Sequence, residues 1–284
     1  MMARVLEVSR AGYYAWKHRR SRPYAGTSPR GKRHRLYGLI TEIFASHNGF
    51  AGARTIHAEL RKQGIDLSLY GVRKAMKELG LTANYRRAFK RTTSADPNAQ
   101  VRGDLVKRQF NPPVPTTGLC GDITYLRTSE GWMYLATVID LSTRMVIGWQ
   151  VADRMTTTLI IDALAMAHRA GFVAGNAVFH SDRGSQYTSA RFAEYAASID
   201  VRLSVGAVGV CWDNAVAESF FSTLKLHLMY TIKQFPTKLE ARIRVGEWIE
   251  TYYNRRRIHT ATGQVPAQAM NRFLNPETPA AQAA

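Results

Sequence analysis

Cysteine is almost absent, with Cys120 and Cys211 the only two among 284 residues. Two thiols are too few for a disulfide framework or a cysteine-based zinc cluster, so both are expected to be buried and reduced. Long apolar runs are missing as well. No stretch approaches the roughly eighteen residues a membrane span requires, and the apolar start of the chain is cut short by Ser9 and Arg10. A cytoplasmic chain with no membrane segment is therefore expected, and no internal repeat is visible. Acidic residues are scarce in the first third. Residues 1–110 hold 23 Lys and Arg against 7 Asp and Glu, which places +16 of the +18 net charge there.

Charge so concentrated calls for a polyanionic partner, because clustered Lys and Arg neutralise phosphates and release their counterions. Tyr13, Tyr14 and Trp16, interleaved with Arg10, Lys17, Arg19 and Arg20, fit nucleic acid, and a solvated basic surface without a ligand is the alternative. With 45% hydrophobic residues the chain can bury one sizeable core and carry a smaller module beside it.

Periodicity places the smaller module first. Leu36, Leu39, Ile40, Ile43 and Phe44 form one apolar stripe and predict a helix over residues 32–46. A turn at Asn48 and Gly49 leads to a second helix carrying Ile56 and Leu60 and stopping at Gly64. Ser68 then caps a third, with Leu69, Val72, Met76 and Leu79 inward and Tyr70, Arg73, Lys74 and Lys77 outward. Three such helices predict a helix-turn-helix whose last helix enters the major groove, where those four outward residues would touch DNA. A plain three-helix bundle with a basic face is the other reading.

Residues 83–117 show no sustained period and read as a linker. Beyond it, apolar runs at 119–126, 132–141 and 145–151, separated by turn-like triplets, predict an antiparallel meander. A helix from about Thr156 and a short strand at 177–180 follow, and this order fits an α/β, ribonuclease-H-like fold. A later helix bearing Leu239, Ile243, Gly246, Ile249 and Tyr253 ends in Arg255, Arg256, Arg257 and His259, either a phosphate-binding edge or a helix C-terminal charge set.

Three acids stand out. Asp122 lies within the first strand, Asp182 follows the fourth, and Glu218 sits on a helix that Asp213 or Asn214 could cap. Asp122 and Asp182 border apolar runs, where an unpaired charge is costly, so a bound cation or a hydrogen-bonding partner is expected. Phosphodiester transfer without a covalent intermediate uses two hard cations, and Mg²⁺ takes oxygen ligands such as three converging carboxylates. Mn²⁺, tolerant of looser coordination, could substitute. Asp140 is either an outer acid of this site or a strand-end turn residue, and His180 either positions a ligand or is a core histidine. Glu250 falls outside every motif and reads as a neutral control position.

The chain resembles the second-reading-frame product of the insertion-sequence-three family of bacterial transposases. The matching residues are Gly121-Asp-Ile-Thr-Tyr125, Asp140, Gly148-Trp149, His180-Ser-Asp-Arg-Gly-Ser-Gln-Tyr187, Asp213-Asn-Ala215, Glu218-Ser-Phe-Phe221 and Lys225. Tyr253-Asn-Arg-Arg-Arg257, His259, Gly263 and Pro266 match too, as do Ser9–Trp16 and Ala51–His57 nearer the start. Departures are Leu119, where the family usually has tryptophan, and Thr260 and Thr262 in place of Ser and Leu.

The resemblance implies a transposase with an integrase catalytic core, a mixed five-stranded sheet with flanking helices behind an all-α helix-turn-helix module. Asp122, Asp182 and Glu218 would be the catalytic residues and metal ligands. Lys225, two helical turns after Glu218, would reach DNA phosphate, and the loop bearing Arg183, Gly184, Ser185, Gln186 and Tyr187 would lie near DNA. The organisation expected is a basic arm (1–30), the helix-turn-helix module (31–82), the linker (83–117), the catalytic core (118–232), a basic helical segment (233–274) and a disordered tail (275–284). Expected partners are the element's terminal inverted repeats, target DNA, further copies of the chain on DNA, and a first-reading-frame protein, separate or as a frameshift fusion. Such a protein would work at the bacterial nucleoid. A nuclease of the same fold and a non-enzymatic DNA-binding regulator are the rivals.

Overall fold

The computed structural model describes residues 9, 11–14, 17, 29–84, 103–106, 109–206, 215–230 and 232–276. The expectations for Arg10, Trp16, Arg19, Arg20 and Cys211, for the Asp213 or Asn214 cap, and for the tail beyond residue 276 lie outside the described residues. The chain divides into two compact units, 1–84 and 85–284.

The first unit holds α1 (Pro29–Ser46), α2 (Ala53–Lys62) and α3 (Leu69–Glu78). Their apolar stripes meet in one cluster of Ile40, Ile43, Ile56, Leu60, Val72 and Met76. After α1 the chain turns through Asn48 and Gly49, both at positive φ (52° and 78°), and the Gly49 amide donates back to Phe44 O at 3.1 Å. Ser68 Oγ accepts the Gly71 amide at 3.1 Å and so satisfies one of the orphan donors that open α3. Glu78 ties the end of α3 to Arg33 and Tyr37 of α1.

The second unit is built on β1 (Gly118–Thr128), β2 (Gly131–Asp140), β3 (Val146–Ala152), β4 (Ala177–Ser181) and β5 (Val201–Val205), in the order β3-β2-β1-β4-β5. β1 to β3 form the expected antiparallel meander, while β4 and β5 run parallel to β1. The helices are α4 (Thr157–Arg169), the short α5 (Ser185–Thr188), α6 (Ala190–Ser198), α7 (Ala215–Met229), α8 (Lys238–Glu247) and α9 (Pro266–Leu274), with a π-helical stretch, Trp248–Tyr253, directly after α8. One sheet face buries Leu119, Val138, Ile147 and Phe179 against Leu164 of α4 and Phe192 of α6. The other buries Cys120, Leu126, Leu135 and Ile139 against Phe220 and Leu224 of α7 and Val245 of α8. Alternation along β1 decides this, since side chains of successive strand residues go to opposite faces.

Two glycines set the distances between layers. A Cβ on Gly148 would fall 2.2 Å from the backbone oxygen of Ala163, so α4 sits as close to β3 as it does only because that position is bare. A Cβ on Gly121 would fall 2.2 Å from Phe179 Cζ, which lets the ring cross the strand next to Asp122.

Two expectations change. Residues of the expected linker are tied to the sheet at two points: the Leu105 amide donates to Ser204 Oγ at 2.9 Å beside the buried Val106, and the Thr116 amide donates to Asp140 Oδ1 at 2.7 Å. These are hydrogen bonds and one apolar contact, which leave no periodicity to detect. On α8 the stripe drawn through Leu239 and Ile243 is wrong, for those side chains are 68% and 57% exposed and the buried face is Ala241, Val245, Trp248 and Ile249. Small residues let the helix approach closely: Gly246 lies against the Trp149 ring. β5, too short to show a period, carries the exposed Arg202 as its second residue.

Candidate active site

Asp122 lies in β1, where the ladder sets it opposite Thr137 of β2. β4 pairs with β1 in parallel from Gly118 with Val178 to Cys120 with His180. Continuing that register by two residues brings Asp122 level with Asp182, one residue past the end of β4, on strands about 5 Å apart. Both carboxylates are half-buried. Asp122 Oδ1 accepts its neighbour Ile123's amide at 2.7 Å, and Asp182 Oδ1 accepts the Gly184 amide at 2.9 Å. Burial pushes the Asp182 carboxyl above its ordinary value, with the Gly184 N–H opposing. Close by, the buried Tyr187 hydroxyl is held well above its usual pKa, first by burial and then by the charges of Asp122 and Asp182.

Glu218 stands in the first turn of α7, on its exposed side, and partial burial raises its carboxyl. α7 packs on the β1 side of the sheet that carries Cys120 and Leu126, the same parity as Asp122. Among the described residues no three His, Cys, Asp or Glu side chains come close enough together to hold a metal ion. The extended register thus sets Asp122 beside Asp182 on neighbouring chain segments and leaves Glu218 on the neighbouring helix. Across the ladder from Asp122, the buried Thr137 Oγ1 has no hydrogen-bond partner. Two carboxylates beside an unsatisfied hydroxyl are an all-oxygen donor set, which suits a small hard cation.

The residues around the pair divide sharply. Arg183 Nε donates to Gly206 O at 3.0 Å, and Gln186 Nε2 donates to Met155 O at 3.4 Å, so both brace the loop while remaining half-buried. Tyr187, expected near DNA, is instead 3% exposed between Phe179 and Phe192. His180 is equally deep, its Nδ1 2.9 Å from Ser204 Oγ, and reaches no surface phosphate. Asp140 is fully buried and accepts the Thr116 amide, the Thr143 amide and the Thr143 hydroxyl at 2.6 to 2.7 Å, which makes it a turn residue and not an outer acid. Burial still raises its carboxyl, against those three bonds. Leu119, in place of the tryptophan, is wholly buried in the core.

Lys225 lies two turns along α7 from Glu218 and lines a groove with Tyr125 and Arg127 of β1. At the far end of the unit, Arg255 and Arg256 are exposed, while Arg257 lies over the Tyr253 ring at 5.5 Å. His259 is half-buried, and burial, helped by Arg257 and Arg144, lowers its pKa to about 4. It is neutral at pH 7. In the first unit Arg73, Lys74 and Lys77 are exposed and Tyr70 is 75% exposed.

Sequence reasoning missed two polar contacts. Asn254 lies 1% exposed and returns both halves of a peptide pairing to Val146, accepting its N–H at 3.0 Å and donating to its C=O at 2.9 Å. Glu250, read as a neutral control, accepts the Trp149 indole N–H at 2.8 Å and so belongs to the packing of α8 on β3. Neither contact has a local signature, because each joins residues 101 or more apart.

Comparison with known proteins gives the chain's relatives. Residues 112–211 and 199–266 each match a family model described as an integrase core domain, and residues 32–89 match an HTH-like domain. The chain is 37% identical over 274 residues to the InsF transposase of insertion sequence IS3A from Escherichia coli K12, covering 96% of this chain and 94% of that one. It is 36% identical over 232 residues to a putative transposase of the IS986/IS6110 element from Mycobacterium tuberculosis, covering 80% and 83%. Among solved structures it is similar to the catalytic core of HTLV-2 integrase in complex with magnesium, at TM-score 0.42 and 17% identity, over 55% of this chain and 96% of that one.

Proposed function

Because the chain belongs to the IS3 family of transposases, we infer that Asp122, Asp182 and Glu218 are the carboxylates with which it cuts and joins DNA. The family activity is transposition of an insertion sequence, a polynucleotidyl transfer performed by the integrase core. The observation that carries the residue assignment is the parallel β1–β4 register, which, continued by two residues, levels Asp122 with Asp182.

Mg²⁺ is the cofactor these oxygens suit, two ions in number, with Mn²⁺ as a substitute; when bound they activate the attacking oxygen and stabilise the leaving one. The protein's own part is placement. The strand fixes Asp122, and the Gly184 amide fixes Asp182. Glu218, on α7 and outside the Asp122–Asp182 pair in this structure, is the third acid we assign, and Lys225, two turns further along the same helix, would meet a DNA phosphate. Water first attacks the phosphodiester at the element's end and frees a 3′-hydroxyl; that hydroxyl then attacks a second phosphodiester, so one bond is exchanged for another at each step.

The exposed Tyr70, Arg73, Lys74 and Lys77 face of α3 is the surface that reads the terminal inverted repeats. Arg183, Gln186, Arg255, Arg256, Arg257 and His259 are DNA-proximal, His259 by hydrogen bonding because it carries no charge at neutral pH. Several copies assemble on the two ends, with the first-reading-frame product as partner. No described helix is long and apolar enough to cross a membrane.

A strand-transfer assay with a pre-cleaved element end tests this reading. Joined product is expected. Cleavage without joining would make the chain a nuclease, and binding alone would make it a regulator.

A further inference from the structure

Beyond the paired stretch with β4, the far half of β1 carries an unusual outer surface. Thr124, Leu126 and Thr128 are buried, so the alternate residues Tyr125 and Arg127 point outward, and the ladder brings Tyr134 and Trp132 of β2 directly beside them. Tyr125 and Trp132 are 49% and 54% exposed and meet edge to face at 6.2 Å. Large aromatics left this open are not core.

Across from them runs the C-terminal half of α7. Tyr125, Arg127, Trp132, Lys225, Tyr230 and Lys233 line a groove of about 630 Å³. A second depression of about 430 Å³ shares Arg127 and Trp132 with the first and continues around the hairpin to Ser129 and Gln234. The wall is fixed in advance. Phe235 bridges to Thr128, donates its amide to Arg127 O at 2.9 Å and accepts the Ser129 amide at 2.9 Å, while Gln234 Nε2 donates to Ser129 Oγ at 3.1 Å. Lys233 holds a left-handed backbone (φ 58°), a conformation that glycine adopts without strain and that here sets a cation at the rim.

The chemistry of the groove is specific in kind. Three cations and three aromatic rings line it, and no acid does. Cations alone would suit any phosphate backbone, but exposed π faces are wasted on a duplex whose bases are stacked on one another. Interleaved rings and cations are the pattern that binds unpaired strands, with bases on the rings and phosphates on the cations. A second copy of the chain would bring its own positive charge to this surface.

Position strengthens the case. Tyr125 is three residues along β1 from Asp122, about 10 Å. Lys225 is seven residues along α7 from Glu218, also about 10 Å. Both rails of the groove therefore lie on the elements that carry the acids assigned above, with Tyr125 on the face of β1 opposite to Asp122. We propose that this groove holds an unpaired stretch of the DNA strand next to the bond being cut or joined, its bases stacked on Tyr125 and Trp132 and its phosphates met by Arg127, Lys225 and Lys233. The proposal rests on the catalytic reading of Asp122, Asp182 and Glu218, since that reading brings DNA to this edge.

The test uses the full chain and two DNA substrates, one a fully paired element end and the other the same end with several unpaired nucleotides beside the reacting bond. Wild type is expected to bind the second more tightly. Tyr125→Ala with Trp132→Ala should abolish that preference, a loss of about 5-fold or more, and leave affinity for the paired end in place. Trp132→Phe should keep it, because a ring remains, and Arg127→Gln should reduce it together with its salt dependence. Phe273→Ala, which removes an exposed aromatic outside the groove, should change nothing. A wild type with no preference, or a folded double variant that keeps it, overturns the proposal. So does a double variant whose only defect is loss of self-association, which would make the groove a protein interface. Substrates unpaired on the element side or on the target side tell which strand is held. Absence of any cleavage or joining by wild type on either substrate would instead strike the catalytic reading.

Discussion

Asp122 and Asp182 each stand two residues beyond Cys120 and His180, the last pair of the parallel β1–β4 ladder, so the two acids hold equivalent places on neighbouring strands. Burial of Asp182 favours its protonated form. A carboxyl whose folded pKa is raised gives the folded state an advantage at low pH that is lost as pH rises through the raised value, so at pH 7 the acid opposes folding. Asp182→Asn is therefore expected to raise the melting temperature in the absence of divalent ions while abolishing strand transfer. Mg²⁺ should stabilise wild type and not the variant, because only a native site gains from bound ion. A variant that melts lower than wild type without Mg²⁺ contradicts this.

The outward face of α3 leads to a second expectation. Arg73→Ala and Lys74→Ala should reduce discrimination between the element's own ends and random duplex, since both side chains are exposed on the helix whose Ser68 cap and apolar underside remain intact. Competition binding with the two DNAs measures it. An equal loss on every sequence would make them phosphate contacts that position the helix without reading bases.

Asn254 replaces a missing strand neighbour for Val146. Asn254→Ala leaves a buried N–H and a buried C=O unsatisfied, and denaturant unfolding is expected to show a loss of about 2–4 kcal/mol. A change under about 0.5 kcal/mol would mean that water reaches the vacated space.

His259 supplies a pH window. Its neutral form is favoured in the fold, with the pKa lowered from 6.5 to about 4. Stability from this group is complete above 6.5 and falls as pH drops from there toward 4, by as much as about 3 kcal/mol. Removing the imidazole with His259→Gln should flatten the stability profile between those pH values. A profile that keeps its full slope assigns the acid sensitivity to another group.

Much of this was legible from residues alone, for reasons that differ by element. The stripe Leu36, Leu39, Ile40, Ile43 and Phe44 gave the end of α1, which starts three residues before the expected 32, and the Ser68 cap gave the start of α3, because amphipathic periods and caps are local. The meander was equally plain. What failed was not local: Asn254 with Val146, Glu250 with Trp149 and Leu105 with Ser204 are contacts between distant residues, and nothing near either partner announces them. Leu239 and Ile243 misled because an apolar residue on a helix was taken for a buried one, whereas close packing there selected Ala241, Val245 and Gly246. Asp122 and Asp182 were found as candidates by their apolar surroundings, but only the strand register brings them level.

The central claim is that charge on Glu218 is required for chemistry and not for folding or binding. Gln keeps the volume and one oxygen of Glu and removes the charge, and the site lies on the exposed side of α7, so the helix should stand. The measurement is single-turnover joining of a pre-cleaved end by Glu218→Gln, with Glu194→Gln, an exposed acid on α6, as control in place of Glu250. The account predicts unchanged DNA binding, joining reduced by several orders of magnitude, a trace restored by Mn²⁺, and a control at the wild-type rate. Joining by folded Glu218→Gln at close to the wild-type rate would contradict it and remove Glu218 from the catalytic set.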